Sequence, residues 1–121
     1  MFLITTNKRR NLVLLTLAGE VTAPEMRDAR VELEDILGNL QPEFTFVTDF
    51  TNLDQMADEA APEIGQVMEA LEGRSVSLII RVLPDPTKDI GMNILSRFHY
   101  EHPPRTATCR TMAEALKAMD S

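Results

Sequence analysis

The order in which two kinds of hydrophobic pattern follow each other along the chain constrains its fold more than any other feature. Two apolar runs near the N-terminus flank a polar turn at residues 7–11, which predicts a β-hairpin. Segments with apolar residues at helical spacing then alternate with further short apolar runs. The predicted strands are residues 2–6, 12–19, 43–50, 75–83 and 105–109. Because strand–helix alternation favours right-handed crossovers, we predict an α/β fold in the order β-β-α-β-α-β-α-β-α, with about five strands in a mixed, mainly parallel sheet and about four helices.

Two of the predicted helices begin with a capping sequence, in which glutamate follows threonine by three positions. These sequences are Thr22-Ala-Pro-Glu25 and Thr111-Met-Ala-Glu114, and Asp85-Pro86 similarly favours the start of the third helix. Helical spacing predicts which apolar residues face inward. They are Met26, Ala29, Leu33, Ile36, Leu37 and Leu40 in the first helix, Ile64, Val67, Met68 and Leu71 in the second, Ile90, Ile94, Leu95 and Phe98 in the third, and Met112, Ala115, Leu116 and Met119 in the fourth.

Length, charge and cysteine content narrow the class of protein. A chain of 121 residues predicts one domain over residues 1–121. The formal net charge is −7 and the isoelectric point is about 4.7, so the surface as a whole repels nucleic-acid phosphates, and we expect no nucleic-acid partner. No apolar run reaches the roughly 20 residues of a membrane span. The lone Cys109 can form no internal disulfide, and we therefore expect a soluble protein of the cytoplasm.

Few residues have the types and spacing that catalysis or metal binding requires. His99 and His102 stand three positions apart, but a tight metal site needs three or four ligands, and we interpret the pair as a frayed helix end on the surface. Cys109 lies in a predicted strand, where cysteine is usually a small buried hydrophobe. The five glycines are scattered singly, without the pattern of a phosphate-binding loop. We expect no catalytic residues, no metal and no cofactor.

The stretch FVTDFTNLDQMADEAAPEIGQVM at residues 46–68 is the strongest candidate site. We interpret it as a strand that ends near Asp49, a polar loop, and a helix that opens with acidic residues. In open α/β sheets, ligands and partners gather beyond the carboxyl ends of the strands. The residues expected at that edge are Asp49, Thr51 and Asn52 after one strand, Arg81, Pro84 and Asp85 after the next, and Asp58 and Glu59 in the first turn of the second helix.

Three segments give the chain a resemblance to a known family. They are LVLLTLAGEVTAPEM, FVTDFTNLDQM with Asp49 at the strand end, and TMAEAL at the start of the last helix. Together with the element order, these segments resemble STAS domains, the fold of the anti-sigma-factor antagonists. TDFTNLDQM is also close to the SpoIIAA-like subgroup, whose members share a fold with lipid-binding CRAL-TRIO domains. The resemblance covers nearly the whole chain and implies the STAS fold and a regulatory, protein-binding role.

The chain departs from the family at one position that matters. In antagonist STAS proteins, a serine at the start of the second helix is phosphorylated, within a motif close to Asp-Ser-Ser-Gly. This chain has Ala57-Asp58-Glu59-Ala60 there, without a hydroxyl, so the phosphosite is not carried over. We hypothesise that Asp58 and Glu59 place fixed negative charge where the family adds phosphate, near the positive end of a helix dipole. The alternative is that they simply favour the start of a helix.

These observations predict a non-enzymatic, regulatory STAS-like module that binds an unidentified protein partner. The predicted partner-binding residues are Asp49, Thr51, Asn52, Asp54, Asp58 and Glu59. Three alternatives stay open at this point: a small apolar or lipid ligand held between the sheet and the helices, a homodimer, and an enzyme acting on a small cationic or neutral substrate. A deep pocket between the second and third helices would favour the ligand.

Overall fold

A computed structural model describes residues 1–85 and 89–120, apart from the side chains of residues 89 and 90. The predictions for Pro86 and Ile90 lie outside these described residues. The elements follow the predicted order. They are strands β1 (Phe2–Asn7) and β2 (Leu12–Val21), helix α1 (Ala23–Leu37), strand β3 (Thr45–Met56), a 3-10 turn (Asp58–Ala60), helix α2 (Ala61–Gly73), strand β4 (Leu78–Val82), helix α3 (Asp89–His99), strand β5 (Arg105–Cys109) and helix α4 (Met112–Met119).

The strands form one mixed sheet of five strands in the order β1-β2-β3-β4-β5, as predicted. β1 pairs antiparallel with β2 through the hairpin, and the other neighbouring pairs are parallel. Successive right-handed crossovers in one direction across a sheet place their helices on a single face. Accordingly, α1, α2 and α3 share a core with one face of the sheet, whereas α4 packs on the other face.

The larger core lies between the sheet and the first three helices. In β2, Val13, Leu15 and Leu17 face this core, while Leu12 and Leu14 face the α4 side, which is the period of two expected of a strand. The inward residues predicted for α1 and α2 are confirmed, with Ile36 and Leu40 only half-buried. β4 is shorter than predicted but lies between two strands with both faces covered, as its continuous apolar run indicated.

Three apolar residues that we predicted to face inward are exposed instead. Ile94 and Phe98 in α3 are 48% and 80% exposed, and Leu116 in α4 is 50% exposed. The half-buried face of α3 consists of Met92, Leu95, Ser96 and His99, which recur at helical spacing. Apolar spacing alone did not identify this face, because it includes a serine and a histidine, while Ile94 and Phe98 lie outside it.

Side-chain caps fix the starts of α1 and α4. The Thr22 hydroxyl accepts the N–H of Glu25 at 3.3 Å, and the Glu25 carboxylate accepts the N–H of Thr22 at 3.5 Å, which completes the predicted capping box. At α4 the Thr111 hydroxyl accepts the backbone N–H of Glu114 at 3.2 Å. The Glu114 carboxylate, however, accepts the backbone N–H of Arg110 at 2.8 Å and not that of Thr111. The second box is therefore one-sided.

Candidate functional site

β3 is longer than predicted and frames the candidate site. Its pairing with β4 ends where Asp49 lies opposite Val82, but its pairing with β2 continues until Met56 lies opposite Val21. Residues 50–56 are therefore a strand that projects past β4, whereas we predicted that the strand would end at residue 50 and that a polar loop would follow. We call these residues the β3 extension.

Two register shifts bend the β3 extension. At the first, β3 advances three residues, from Asp49 to Asn52, while β2 advances two; at the second, β3 advances two residues, from Leu53 to Gln55, while β2 advances one. Each shift is a bulge with one extra residue in β3. Because a bulge bends its strand and redirects the side chains that follow, the two together turn the end of β3 away from a regular ladder.

Asp49 and Thr51 bind each other at the first bulge. The Asp49 oxygen Oδ1 accepts the backbone N–H of Thr51 at 2.9 Å and its hydroxyl at 2.5 Å. Aspartate commonly stabilises an irregular backbone in this way, by accepting from a residue two positions later. Of the six predicted partner-binding residues, these two therefore have a local partner that holds the bulge.

The other four predicted partner-binding residues, Asn52, Asp54, Asp58 and Glu59, are exposed. Asp58 and Glu59 lie in the 3-10 turn and not in the first turn of α2 as predicted, since α2 begins at Ala61. Within the described part of the chain, no hydrogen bond or ion pair involves the side chain of Asp54, Asp58 or Glu59. Their charges are therefore uncompensated and give this surface a negative potential. We call these three acidic residues the acidic corner.

An open, mainly apolar cleft of about 580 Å³ lies between the β3 extension, the start of α2 and α3. The described residues that line it are Phe50, Leu53, Asp54, Gln55, Met56, Ala61, Leu83, Gly91, Met92, Ile94 and Leu95. Among these described lining residues Asp54 is the one charged side chain, so one residue of the acidic corner borders the cleft. The volume falls within the range of about 300–1,000 Å³ typical of ligand pockets.

A buried carboxylate fastens the start of α2 to α1. Glu63 Oε2 accepts from Arg30 Nε at 2.6 Å, and Glu63 Oε1 accepts from Arg27 Nε at 3.3 Å. Arg30 also donates to Glu34 at 3.0 Å, one turn further along α1. The hydrogen bond from Arg30 holds the pKa of Glu63 below its ordinary value, and the one from Arg27 adds to this effect. Because Glu63 lies in the first turn of α2, which directly follows the 3-10 turn, this contact helps to position Asp58 and Glu59.

Arg81 lies near the carboxyl end of β4 as predicted, but its side chain is buried at 2% exposure and is not presented at the sheet edge. Its Nη1 donates to Oδ1 of Asn93 in α3 at 2.9 Å. Arg81 also lines a small pocket of about 40 Å³, together with Thr48 and Tyr100. Burial raises the pKa of the Tyr100 phenol. Arg81 therefore ties β4 to α3, whereas Pro84 is exposed near the edge, where it was expected.

The prediction of a frayed helix end at His99 is wrong, because α2 anchors this segment. His99 Nδ1 lies 2.6 Å from Oε2 of Glu69. The backbone N–H groups of Glu101 and His102 donate to the Glu72 carboxylate at 3.2 and 2.8 Å. Within residues 1–85 and 89–120, no group of three or more histidine, cysteine, aspartate or glutamate side chains is arranged to hold a metal ion.

Sequence reasoning missed the apolar part of the site. Leu53 and Met56 stand three positions apart in an otherwise polar stretch, and both line the cleft. That spacing was the available signal, but bulges remove the strict alternation by which a strand is recognised. Glu63 was also missed, although it directly precedes the buried Ile64 on the inner face of α2.

Comparisons with known proteins bear on the fold. No protein-family model matches the chain, and no curated protein sequence matches it. Among solved structures, the anti-sigma factor antagonist SpoIIAA in its unphosphorylated form matches with a TM-score of 0.71 and 20% sequence identity, over 100% of this chain and 99% of that one. This chain has the SpoIIAA-like fold.

The SpoIIAA-like fold recurs in other matches. An uncharacterized protein with that fold from Shewanella loihica PV-4 has a TM-score of 0.71 at 14% identity, over 98% of this chain and 92% of its own. An anti-sigma factor antagonist from Mycobacterium paratuberculosis has a TM-score of 0.62 at 14% identity, over 100% and 94%. The predicted STAS-like α/β fold is thereby confirmed. None of the described helices is long and apolar enough to cross a membrane.

Proposed function

We propose that this chain is a non-enzymatic regulatory module that binds a protein partner through the acidic corner. The observation that carries the proposal is that Asp54, Asp58 and Glu59 are exposed without an ion-pair partner among the described residues. Charges held on a fixed backbone steer and orient an oppositely charged partner. The solved structures that share the fold include proteins named as anti-sigma factor antagonists, which supports a regulatory role.

The negative charge of the acidic corner is permanent in this proposal. Residues 57–60 contain no hydroxyl group that a kinase could modify. The nearest threonines before them are engaged, because Thr48 is buried and the Thr51 hydroxyl donates to Asp49. Asp58 and Glu59 would then supply constantly the charge that a phosphorylated serine supplies on demand. Asp49, Thr51 and Asn52 shape the bulge beside the acidic corner, and the partner reads the surface as a whole.

A matched pair of double variants tests this function. Asp58→Ser with Glu59→Ser removes two charges from the acidic corner, while Asp28→Ser with Glu32→Ser removes two exposed charges from α1. Proteins captured from the source cells by the wild type are identified, and the affinity of each purified candidate is then measured by titration calorimetry. Exposed charge pairs contribute about 0.2–1 kcal/mol each, so we expect the first variant to bind about 2- to 30-fold more weakly. Unchanged affinity, or an equal loss in the α1 variant, would contradict the proposal.

The cleft favours a second candidate function, the binding of a small apolar or lipid ligand. Its volume of about 580 Å³ and apolar lining suit such a ligand, and it lies between the β3 extension, α2 and α3. Native mass spectrometry of freshly purified protein tests this directly. A bound mass of lipid size would support the ligand, and a ligand-free mass would count against it; the same spectrum reports whether the chain dimerises.

A further inference from the structure

The apolar cleft does not end at its rim but continues along the outer side of α3. Ile94 lines the cleft and is 48% exposed, and Phe98 follows one turn later at 80% exposure. Residues four positions apart lie next to each other on a helix surface. Scattered exposed apolar residues are ordinary, but a contiguous apolar surface is typical of an interaction site. We call Ile94 and Phe98 the α3 stripe.

The dimensions of this surface suit a short helix. From Gly91, which lines the cleft, to Phe98 is seven positions, or about 10 Å at the rise of about 1.5 Å per residue. A partner helix of two to three turns presents apolar side chains at positions i, i+3, i+4 and i+7 over about that distance. The absence of a side chain at Gly91 leaves open space beside the helix backbone, where another chain can approach closely.

The charge around the cleft determines which apolar occupant is favoured. Asp54 belongs to the lining itself, and Asp58 and Glu59 lie just before Ala61, which also lines it. Among the described lining residues there is no lysine or arginine to receive a fatty-acid carboxylate or a lipid phosphate. Arg97, next to Phe98, is exposed at the far end of the α3 stripe. An anionic lipid head is therefore repelled at the acidic end of the cleft, whereas a lysine or arginine side chain is attracted there.

We infer that the cleft and the α3 stripe dock a basic amphipathic helix of the protein partner. Its apolar face covers Ile94 and Phe98 and enters the cleft beside Leu53 and Met56. Its lysine and arginine side chains flank that face and pair with the acidic corner. This inference rests on the proposed function and adds the chemical class of the partner segment.

Synthetic probes test the inference without knowledge of the natural partner. The first probe is a 14-residue peptide of leucine and lysine with leucine at helical spacing. The second has the same composition in a scrambled order without an apolar face, the third has glutamate in place of lysine, and the fourth is oleate. Titration calorimetry of the full chain with each probe separates apolar docking from simple attraction to a protein of net charge −7.

The expected result is that the amphipathic leucine–lysine peptide binds about tenfold or more tightly than the other three probes. Replacing both residues of the α3 stripe, by Ile94→Ser and Phe98→Ser, should weaken that peptide about tenfold, because a comparable apolar contact is lost. The matched control is Val31→Ser with Leu116→Ser, since Val31 and Leu116 are 56% and 50% exposed and lie away from the cleft. The control should bind as the wild type does, and all four replaced side chains are exposed, so the fold is retained.

Three results would overturn the inference. They are equal binding of the amphipathic and scrambled peptides, tighter binding of oleate than of the amphipathic peptide, and equal loss in the control variant. Its failure is distinguishable from failure of the proposed function. If a natural partner depends on Asp58 and Glu59 but not on Ile94 and Phe98, the docking of a helix is wrong while the protein-binding role stands.

Discussion

Gly65→Ala should destabilise the protein even though the same replacement normally strengthens a helix. A Cβ atom added at Gly65 would lie 2.3 Å from Nε2 of His99 and 2.4 Å from its Cε1, far inside contact distance. The ring of His99 would have to shift, which would disturb its 2.6 Å contact with Glu69. In the same helix, a Cβ added at Gly73 would meet nothing within 4 Å. The two glycines of α2 therefore provide a replacement and its matched control.

The size of the effect follows from three contributions. Exchange of glycine for alanine inside a helix stabilises by about 1 kcal/mol. Overpacking costs about 1–3 kcal/mol, and the loss of a partly exposed pair such as His99–Glu69 costs up to about 1 kcal/mol. These contributions sum to a net cost between about 0 and 3 kcal/mol, so we expect Gly65→Ala to lower the free energy of unfolding by about 1.5 kcal/mol, and Gly73→Ala to raise it by up to about 1 kcal/mol.

Urea denaturation of the two variants measures both values, and a double variant isolates the cause. With His99→Ala in place, the ring is gone, so adding Gly65→Ala should no longer destabilise and should show the helix-propensity gain alone. If Gly65→Ala stabilises the wild type as much as Gly73→Ala does, the close packing of α2 on His99 is refuted. A destabilisation that persists in the His99→Ala background would place the clash elsewhere.

Two further predictions concern buried groups. The pKa of Glu63 is lowered in the folded state, so its ionised form stabilises the fold above its ordinary pKa of 4.5, and this contribution is lost as the pH falls through the lower folded value. Urea denaturation should accordingly show Glu63→Gln less stable than the wild type at pH 7, with a difference that narrows in acid; a constant difference would contradict the assignment. Cys109 is buried and burial raises the pKa of its thiol, so the native chain should react with iodoacetamide far more slowly than the urea-unfolded chain, and equal rates would contradict its burial.

The sequence predicted the fold well because its main signals are local. Helical spacing placed Leu33 and Leu71 in the core, and alternating strands and helices predicted the mixed sheet. The STAS resemblance pointed to the same architecture, which the SpoIIAA-like neighbours confirm. What was missed depends on partners distant in the chain. The buried Arg81 donates to Asn93 in α3, and the backbone of residues 101 and 102 donates to Glu72 in α2.

The candidate site was predicted in part for the same reason. The exposed positions of Asp58 and Glu59 follow from their polarity, but the extension of β3 to Met56 depends on pairing with β2, which no local pattern in TNLDQM indicates. Whether an apolar side chain of α3 lies in the core depends on where that helix sits against α2. Spacing within α3 therefore could not separate the half-buried Leu95 from the exposed Phe98.

The two bulges of the β3 extension have a consequence for behaviour at high concentration. Past Asp49, no described strand pairs with the side of β3 that faces away from β2, so part of the strand backbone is left as an open edge. A straight, regular open edge invites the strand of a second molecule and is a common start of aggregation. The irregular backbone and the carboxylate of Asp54 make this edge a poor template for a continuing ladder. The chain can thus expose the side chains of the β3 extension to water, while the bulges discourage a second copy of the chain from pairing with that strand.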